Sequence, residues 1–447
     1  MAEDIGTEDS DPYDFDSRVD ARQLTVGVIG LGYVGLPLAM AFAEAGFRTV
    51  GYDVDQSKVE RLNAGLSHIE DVVPERVSAA VAQGRFLAGS EADILGGADA
   101  VFISVPTPFD EAKTPDLAFV RAATETLGTY LRRGMLVVLQ STTFPGTTTE
   151  VVQPILERSG LRAGVDFGLA FSPERVDPGN VTWTVRNTPK VVGGVTPACA
   201  DKARALLESV MDAPGDVTVV SSPAAAEMAK LLENTFRAVN IALVNELAVL
   251  AHEMGIDMWE VIGAAGTKPF GFTAFSPGVG PGGHCIPVDP YYLSWRARVF
   301  DFQAKFIELA ADTNLRMAPY VQNRVGAFLN NLGQTLRGSR VLALGATFKP
   351  GVSDVRNSRA IRVMELLEQS GAVVDFSDPR VDAIAFAGGE RKSVPLTEDV
   401  VGDHDVVVIL VGHPEWPLDM IVASGVPVFD AIGATIGRPE GPALERL

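Results

Sequence analysis

The sequence is poor in cysteine and in positive charge. Two cysteines in 447 residues cannot build a disulfide framework, which favours a reducing compartment and a cytoplasmic protein. Lysine and arginine together number 37 against 57 aspartates and glutamates, a formal net charge of −20. Nucleic acids and anionic membrane surfaces are bound by basic patches, so neither is an expected partner. A small anionic ligand held by local groups stays open.

Apolar residues are scarce at the N-terminus. Residues 1–20 contain one base, Arg18, and eight carboxylates: Glu3, Asp4, Glu8, Asp9, Asp11, Asp14, Asp16 and Asp20. A signal peptide has the opposite pattern, since it begins basic and then turns apolar. We therefore predict a disordered acidic tail over residues 1–23, whose simplest role is to aid solubility.

A long uncharged stretch covers Leu24–Ala43. Twenty residues are enough to cross a bilayer, but four glycines and a proline interrupt them, and Glu44 follows directly. A run rich in β-branched residues, Thr25–Ile29, precedes three of the glycines, and an alanine-rich run follows them. This pattern favours a strand, a tight turn and a helix over a membrane span.

The turn in this stretch matches the dinucleotide fingerprint G-x-G-x-x-G, with the residues Gly30, Leu31, Gly32, Tyr33, Val34 and Gly35. In such turns the first glycine allows the bend, the second lets a pyrophosphate approach, and the third lets the helix pack closely. Asp53 follows the next apolar run, 18 residues after Gly35. A carboxylate there binds a ribose diol and repels a 2′-phosphate, so the segment predicts NAD rather than NADP.

Strands and helices continue to alternate, which predicts an α/β fold. Buried strands are expected at Ala100–Val105 and Leu136–Gln140, and the hydroxyl-rich turns after them contain Thr107 and Thr142. Ligands lie at the carboxyl ends of strands in open α/β sheets, so both turns should face the cofactor. A second strand–turn–helix–strand block begins at residue 340. We predict two doubly wound Rossmann-like domains joined by a central long-helix region, with the bounds 24–215, 216–332 and 333–447.

Two long helices are predicted in the central region, Pro223–Gly255 and Gln303–Asn331. On the first, Glu227, Lys230 and Asn234 follow one another at spacings of three and four, so they share a face. A helical layer between two α/β domains is a reasonable dimerisation element. We expect a homodimer through these helices.

The loop ahead of Cys285 carries the clearest chemical signal. Glycines and prolines crowd this loop, and Gly282 and Gly283 leave room for a substrate to approach the backbone. Asp289 and Pro290 predict the N-cap and first residue of a helix. A thiol just ahead of a helix N-terminus favours the nucleophilic thiolate form. We therefore interpret Cys285 as a nucleophile.

The remaining candidates are less specific. Cys199 lies in an ordinary helical stretch and is expected to be a packing residue. The five histidines lack metal-ligand spacing, and His284 is expected to be structural, so no metal site is predicted.

These parts fit the oxidation of an alcohol through an aldehyde to an acid. Lys230 and Asn234 would stabilise an oxyanion. Cys285 would trap the aldehyde as a thiohemiacetal, and a second oxidation would give a thioester that water hydrolyses. A simple alcohol dehydrogenase would not need the cysteine.

Eight longer motifs follow in order along nearly the whole chain: VGVIGLGYVGLPLA, SVPTP, QSTTFPGTT, FSPERVDPGN, KVVGG, AEMAKLLENTFRAVNIALVNELA, GPGGHCIPVDP and GATFKPGVSDVRNS. Together they resemble the UDP-glucose/GDP-mannose dehydrogenase family. The resemblance implies an NAD-binding N-terminal domain, a central helical dimerisation region and a C-terminal domain that binds a UDP-sugar.

The resemblance also implies roles for individual residues. The implied catalytic residues are the nucleophile Cys285, the helix residues Lys230 and Asn234, the water-activating Asp289, Thr142 beside a catalytic water, and Glu174 as acid/base. Besides the fingerprint residues, the implied cofactor contacts are Asp53, Lys58, Thr107, Thr142 and Arg356. The implied substrate contacts are Glu174, Arg175, Lys230, Asn234, Gly282, Gly283 and Lys349. For Arg175, a surface ion pair is an equally good interpretation.

Shorter variants of these motifs bear on the substrate. The segments SPER, GHCIP, KPFGFTAF and DPYYLSWRAR resemble the branch that oxidises C6 of UDP-N-acetylglucosamine to the uronic acid for surface polysaccharide, whereas the UDP-glucose branch has NPEFL and GGSCF. UDP-N-acetylmannosamine dehydrogenases share GGHCI and remain the first alternative, with UDP-glucose as another. A two-electron dehydrogenase of the hydroxyacid type and a non-catalytic nucleotide-sugar sensor are more remote alternatives.

Overall fold

The computed structural model describes residues 15–110, 113–180, 182–213, 215–386, 389–438 and 443–447. The chain divides into two compact units, residues 1–231 and 232–447. Residues 1–14 of the predicted acidic tail lie outside the described residues. The three predicted domain bounds are a finer division than these two units and stay predictions.

The first unit is built on an eight-stranded sheet. Its strands are β1 (Thr25–Ile29), β2 (Arg48–Tyr52), β3 (Phe86–Gly89), β4 (Ala100–Ile103), β5 (Leu136–Leu139), β6 (Gly168–Phe171), β7 (Lys190–Gly194) and β8 (Val217–Val220). They lie in the order β3-β2-β1-β4-β5-β6-β7-β8. Neighbouring strands are parallel except at β6 and β7, so the last two strands run opposite to the other six. The strand order reverses between β1 and β4, where open α/β sheets bind their ligands.

Helices precede, separate and follow these strands along the chain. They are α1 (Phe15–Asp20), α2 (Gly35–Glu44), α3 (Gln56–Asn63), α4 (Pro74–Ala82), α5 (Ala118–Gly128), α6 (Gln153–Leu156), α7 (Pro197–Glu208) and α8 (Pro223–Glu253), of which α8 continues into the second unit. The uncharged stretch of the sequence is β1 followed by α2, whose first nine residues are all buried. A helix that is apolar all round belongs in a core, which explains its hydropathy. Among the described residues, no helix is both long and apolar enough to cross a membrane.

Helix α1 corrects the predicted disordered tail. Residues 15–20 are helical, and Phe15 and Val19, one turn apart, are buried in the core of the first unit. Asp99 ties this helix to the sheet, because its carboxylate accepts hydrogen bonds from Arg18, Arg132 and the N–H of Thr25 at 2.6–2.9 Å. The charged residues of this segment alternate with two apolar side chains that pack into the core, so the prediction of disorder is wrong for residues 15–20.

The second unit contains a five-stranded sheet and a separate hairpin. The strands are β9 (Arg340–Leu344), β10 (Val373–Ser377), β11 (Ala383–Phe386), β12 (Gly389–Lys392), β13 (Val406–Ile409), β14 (Val428–Asp430) and β15 (Leu444–Arg446). The order β10-β9-β13-β14-β15 is parallel throughout, while β11 and β12 pair antiparallel. A second doubly wound sheet is therefore present, which confirms the predicted fold class.

The remaining helices are α9 (Met258–Gly266), α10 (Asp289–Ala297), α11 (Lys305–Asn331), α12 (Arg359–Gln369), α13 (Glu398–Gly402) and α14 (Leu418–Ala423). Both predicted long helices are present, as α8 and α11. Helix α8 ends two residues before Gly255, which has the left-handed φ of 67° typical of a glycine just past a helix. Pro319 lies inside α11 without ending it.

Candidate active site

The glycines of the turn between β1 and α2 have different tasks. Gly30 has a φ of 88°, and a Cβ there would lie 2.5 Å from the carbonyl oxygen of Ser104. A Cβ on Gly35 would lie 1.8 Å from the carbonyl oxygen of Gly30. A Cβ on Gly32 would meet no atom within 4 Å. The fold therefore requires Gly30 and Gly35, whereas Gly32 leaves open space where a dinucleotide pyrophosphate approaches the backbone.

Asp53 binds the same turn from the end of β2. Its carboxylate accepts hydrogen bonds from the N–H of Leu31 at 2.8 Å, the N–H of Asp55 at 3.0 Å and Nζ of Lys58 at 2.8 Å. Burial acts to raise the pKa of Asp53, but the hydrogen bonds from Lys58, Leu31 and Asp55 outweigh it and hold the pKa below its ordinary value. Asp53 is thus ionised, as ribose binding and exclusion of a 2′-phosphate require.

The turns after β4 and β5 are joined through Ser141. Its Oγ accepts a hydrogen bond from the N–H of Val105 at 2.9 Å and donates one to the carbonyl oxygen of Val105 at 2.8 Å. Thr107, which is buried, and Thr142, which is half-buried, lie in the two turns. The structure thus brings together the turns that carry these predicted residues.

Glu174 lies three residues after β6 and is surrounded by donors. Oε1 accepts the N–H groups of Arg175 and Val176 at 2.8 and 2.9 Å. Oε2 accepts Nε2 of Gln140 at 3.0 Å, and Nζ of Lys190 lies 3.7 Å from the same oxygen. Glu174 and Lys190 are both buried, so this carboxylate is the centre of an internal polar network.

Helix α8 presents Glu227 and Lys230, both buried, within the first unit. Glu227 accepts hydrogen bonds from the N–H of Gly146 at 2.6 Å and from the N–H and hydroxyl of Thr148 at 2.9 and 2.7 Å. Burial raises the pKa of Glu227 above its ordinary value despite these donors. Glu227, one turn before Lys230, therefore fixes the loop that also contains Thr142, a predicted site residue.

In the second unit, Asn234 of α8 donates a hydrogen bond from Nδ2 to Oδ2 of Asp289 at 2.5 Å, and both side chains are buried. Asp289 is the first residue of α10 rather than its N-cap, and Val288 takes the N-cap position without a side-chain hydrogen bond. The prediction that Asp289 is the N-cap is therefore wrong, since Val288 has that position and Asp289 lies one residue inside the helix.

Cys285 lies in the turn immediately before α10. It is exposed, whereas Cys199 is buried. The carbonyl oxygen of Cys285 accepts the N–H groups of Val288 and Asp289 at 3.2 and 2.8 Å, which fixes the turn against the helix start. Burial, together with the charge of Arg356, lowers the pKa of His284. The neighbour of the thiol is therefore a neutral imidazole at neutral pH.

The cysteine loop is clamped to the loop after β9. The N–H of Gly283 donates to the carbonyl oxygen of Arg356 at 3.0 Å, and Nδ2 of Asn357 donates to the carbonyl oxygen of Gly283 at 3.0 Å. A Cβ on Gly283 would lie 2.8 Å from the ring of Phe348, and one on Gly282 would lie 2.9 Å from the carbonyl oxygen of Asn357. In this structure, these two glycines are required by close loop packing.

A pair of asparagines supports the start of the cysteine loop. Nδ2 of Asn245 on α8 donates to Oδ1 of Asn314 on α11 at 3.0 Å, and the N–H of Gly278 donates to Oδ1 of Asn245 at 2.9 Å. Nδ2 of Asn314 donates to the carbonyl oxygen of Ala238 at 3.1 Å. Both side chains are buried, so each amide is satisfied inside the unit.

Arg175 and Arg356, which are predicted to bind substrate and cofactor, donate hydrogen bonds to other groups of the protein. Nη1 of Arg175 donates to the carbonyl oxygen of Pro189 at 2.6 Å. The guanidinium of Arg356 donates to both carboxylate oxygens of Asp354 at 2.6–3.0 Å. Their predicted contacts with substrate and cofactor stay predictions.

Asp378 directly follows β10, as Asp53 directly follows β2. Its Oδ2 accepts the N–H of Ala346, the residue after Gly345, at 2.7 Å, and lies 3.3 Å from Nε2 of His413. Burial acts to raise the pKa of Asp378, but hydrogen bonds from His413 and from backbone N–H groups hold it below its ordinary value. In this unit, a buried histidine takes the place that Lys58 has beside Asp53.

His413 in turn holds the loop that contains Lys349. The N–H of Gly351 donates to Nδ1 at 3.3 Å, which assigns the ring proton to Nε2. Nε2 lies 3.0 Å from the hydroxyl of Thr347, which donates to the carbonyl oxygen of Lys349 at 2.9 Å. The backbone at Lys349, the predicted substrate-binding lysine, is thus fixed by His413 and Thr347.

Sequence reasoning gave no site role to several of these residues. Asp378 had a signal, because it follows the second strand of its block as Asp53 does. Glu227 had one too, since it shares a helix face with Lys230. Gln140 and Lys190 are the first residues of the motifs QSTTFPGTT and KVVGG, but neither motif shows which residue the side chain meets. His413 had no signal, because its partners are distant along the chain.

The fold and the turn define an NAD-dependent oxidoreductase built on two Rossmann-like units. The chain belongs to the UDP-glucose/GDP-mannose dehydrogenase family: models of its NAD binding, central and UDP binding domains match residues 24–211, 224–316 and 342–432.

Relatives cover nearly the whole chain. A UDP-N-acetyl-D-glucosamine 6-dehydrogenase of Salmonella typhi is 37% identical over 396 residues, 88% of this chain and 91% of that protein. A UDP-N-acetyl-D-mannosamine dehydrogenase of Pyrococcus horikoshii is 35% identical over 394 residues, 88% and 90% of the two chains. The solved structure of a UDP-D-ManNAc dehydrogenase from Pyrococcus horikoshii matches with a TM-score of 0.86 at 33% identity, covering 95% of this chain and 99% of that one. The chain is an NAD-dependent UDP-sugar 6-dehydrogenase, which confirms the predicted enzyme class and cofactor.

The different tasks of Gly35 and Gly32 are testable. We expect Gly35→Ala to destabilise the protein by about 3 kcal/mol or more, because its Cβ collides with backbone. Gly32→Ala should leave the melting temperature unchanged but raise the Kd for NADH at least about tenfold, since only the cofactor meets the new methyl group. Thermal denaturation and NADH fluorescence titration measure the two effects. Equal losses of stability in both variants would contradict this division.

Proposed function

We propose that the protein oxidises C6 of UDP-N-acetylglucosamine to the uronic acid with Cys285 as covalent nucleophile. The observation that carries this proposal is the exposed thiol whose own backbone anchors the start of α10, next to the buried Asn234–Asp289 pair. A thiol placed ahead of a helix N-terminus is favoured as thiolate, and a buried carboxylate beside it is a candidate to activate water.

NAD would supply the hydride acceptor, with a first NAD for the first oxidation and a second NAD, bound after the first leaves, for the second. The first oxidation converts the C6 alcohol into an aldehyde. The Cys285 thiol then adds across the aldehyde C=O, with the C–S bond formed by Sγ and the proton ending on oxygen. Oxidation of this thiohemiacetal gives a thioester, and water cleaves the C–S bond to release the acid and restore the thiol. The overall change takes four electrons and consumes one water.

The other proposed residues assist these steps. The Lys230 ammonium and the Asn234 amide would stabilise the oxygen at C6 when it carries negative charge. Asp289 would activate the hydrolytic water. Thr142 would help to hold a catalytic water, and Glu174 would act as acid/base. Lys349, Arg175, Gly282 and Gly283 would hold the UDP-sugar, and Arg356 would contact the cofactor phosphates.

The preference for UDP-N-acetylglucosamine is supported by the motif variants GHCIP and SPER and by the 37% identity to a UDP-N-acetyl-D-glucosamine 6-dehydrogenase. The 35% identity to a UDP-N-acetyl-D-mannosamine dehydrogenase keeps that substrate as the alternative. Supply of a uronic acid for surface polysaccharide is part of the proposal.

An NADH assay over UDP-N-acetylglucosamine, UDP-N-acetylmannosamine and UDP-glucose tests both substrate and stoichiometry. We expect UDP-N-acetylglucosamine to have the highest kcat/KM and to give two NADH per sugar acid. One NADH with free aldehyde would support a two-electron dehydrogenase instead. Binding of the sugars without turnover would support a sensor.

Cys285→Ala should abolish acid formation while UDP-sugar binding persists, because only the covalent step is removed. Rapid quenching and mass spectrometry of the wild-type protein should find a substrate adduct on Cys285. The matched control is Cys199→Ala, which removes the buried thiol and should keep turnover. Normal acid formation by Cys285→Ala would contradict the covalent mechanism.

We also propose a homodimer through the central helices. One face of α8 exposes apolar side chains at heptad-like spacing, each 39–62% exposed: Leu232, Phe236, Leu243, Leu247, Leu250 and Met254. A continuous apolar stripe of this kind is typical of a helix that pairs with another helix.

The double variant Leu243→Glu/Leu250→Glu should place two charges in this stripe and shift the protein from dimer to monomer. Sedimentation velocity measures the change from twice the chain mass of 47.4 kDa to that mass itself. Val165→Glu, at a residue that is 68% exposed in the first unit, is the control and should remain dimeric. A monomeric wild-type protein would refute the proposed interface.

A further inference from the structure

Lys190 is a buried cation that the proposed reaction does not use. It is the first residue of β7 and is 1% exposed. Its Nζ lies 3.7 Å from Oε2 of Glu174 and makes no hydrogen bond to any residue that the structure describes. Burying an ammonium is costly unless a charge or ligand compensates it, so a lysine at this position calls for a specific partner.

Strand direction explains why Lys190 meets Glu174. In the antiparallel pair of β6 and β7, Ala170 is opposite Gly194 and Phe171 is opposite Gly193. Continuing this register places Glu174 opposite Lys190. Because β7 runs opposite to β1–β6, its first residue comes to the carboxyl edge of those strands, which is the edge that binds ligands in open α/β sheets.

The same edge holds a chain of buried polar groups that ends on Glu174. Oγ of Ser104, after β4, donates to Oε1 of Gln140 at 2.6 Å, and Nε2 of Gln140, after β5, donates to Oε2 of Glu174 at 3.0 Å. Two backbone N–H groups occupy Oε1 of Glu174. Of the four acceptor positions of a carboxylate, three are therefore taken, and one remains on Oε2, the oxygen nearest Lys190.

We propose that Lys190 is a positioning residue for the dehydrogenase reaction. Its ammonium holds the Glu174 carboxylate in one orientation, with the last acceptor position on Oε2 kept for a substrate hydroxyl or a water. The other donors to Glu174 are the Gln140 amide and two backbone N–H groups, which are neutral. The negative charge of the carboxylate is therefore balanced by the Lys190 ammonium. This inference rests on the proposed role of Glu174 in the oxidation of the UDP-sugar.

A kinetic double-mutant cycle of Lys190→Met, Glu174→Gln and the double variant tests this inference. Lys190→Met keeps the length of the side chain and should lower kcat at least about tenfold. KM for NAD and for the UDP-sugar should stay nearly unchanged. The double variant should be no slower than Glu174→Gln alone, because residues that act as a unit are not additive. Lys190→Arg keeps the charge and should recover much of the lost rate.

Chemical denaturation of the same variants measures the pairing without any assay of turnover. Lys190→Met leaves a buried carboxylate without its counter-charge and should lower the denaturation midpoint more than the double variant does. Where Lys190→Met does not fold, the double variant and Lys190→Arg still allow the comparison.

Arg132→Met is the matched control. Arg132 pairs with Asp99 at 2.6 Å, and Asp99 directly precedes β4, at the opposite edge of the same sheet. Its replacement should lower the denaturation midpoint and leave kcat unchanged.

Three results would overturn the inference. Lys190→Met could have the kcat of the wild-type protein, or the double variant could lose the product of the two single rate losses. The double variant could also be less stable than Lys190→Met. A wild-type protein that oxidises no UDP-sugar would instead refute the proposed function and with it the positioning role of Lys190. The denaturation cycle would still show whether Lys190 and Glu174 form a coupled pair.

Discussion

Both units depend on one interaction: a carboxylate after the second strand binds the backbone N–H that follows the turn glycine. Asp53 accepts from Leu31 at 2.8 Å, and Asp378 accepts from Ala346 at 2.7 Å. An ionised carboxylate binds such an N–H more strongly than a neutral acceptor does, so each ligand loop is fixed to its own sheet. The two acids then differ in their other partners. Asp53 pairs with Lys58, whose side chain is partly exposed, whereas Asp378 lies beside His413, which is fully buried.

Along helix α8, buried polar side chains also bind and fix loops. Its buried polar side chains each satisfy a loop of their own unit: Glu227 the loop at 146–148, Asn234 the start of α10, and Asn245 the glycine that opens the cysteine loop. A buried polar group without a partner is costly, so the positions of these loops follow from the helix. Proposed catalytic groups such as Lys230 thus lie on a rigid element, as precise geometry demands.

Much of the fold could be predicted from sequence, because it follows from local pattern. Alternation of apolar runs and the glycine spacing predicted the two Rossmann-like sheets, and absence of glycine and proline predicted α8. Two predictions failed where tertiary contacts overrode local signals. The acidic segment ends in a helix because Phe15 and Val19 reach the core. Val288 rather than Asp289 is the N-cap of α10, and the Asp289 carboxylate accepts a hydrogen bond from distant Asn234.

The sequence by itself determined the class of enzyme and its cofactor NAD, and it singled out Cys285 as the proposed nucleophile, because each depends on residue types at fixed spacing along the chain. Only the tertiary structure decided which distant polar groups meet: Lys190 opposite Glu174, His413 on Asp378, and Asn245 with Asn314. Buried polar groups must pair, but strand direction, register and helix packing choose the partner. Those properties are settled only when the whole chain is folded, so no local pattern reveals them.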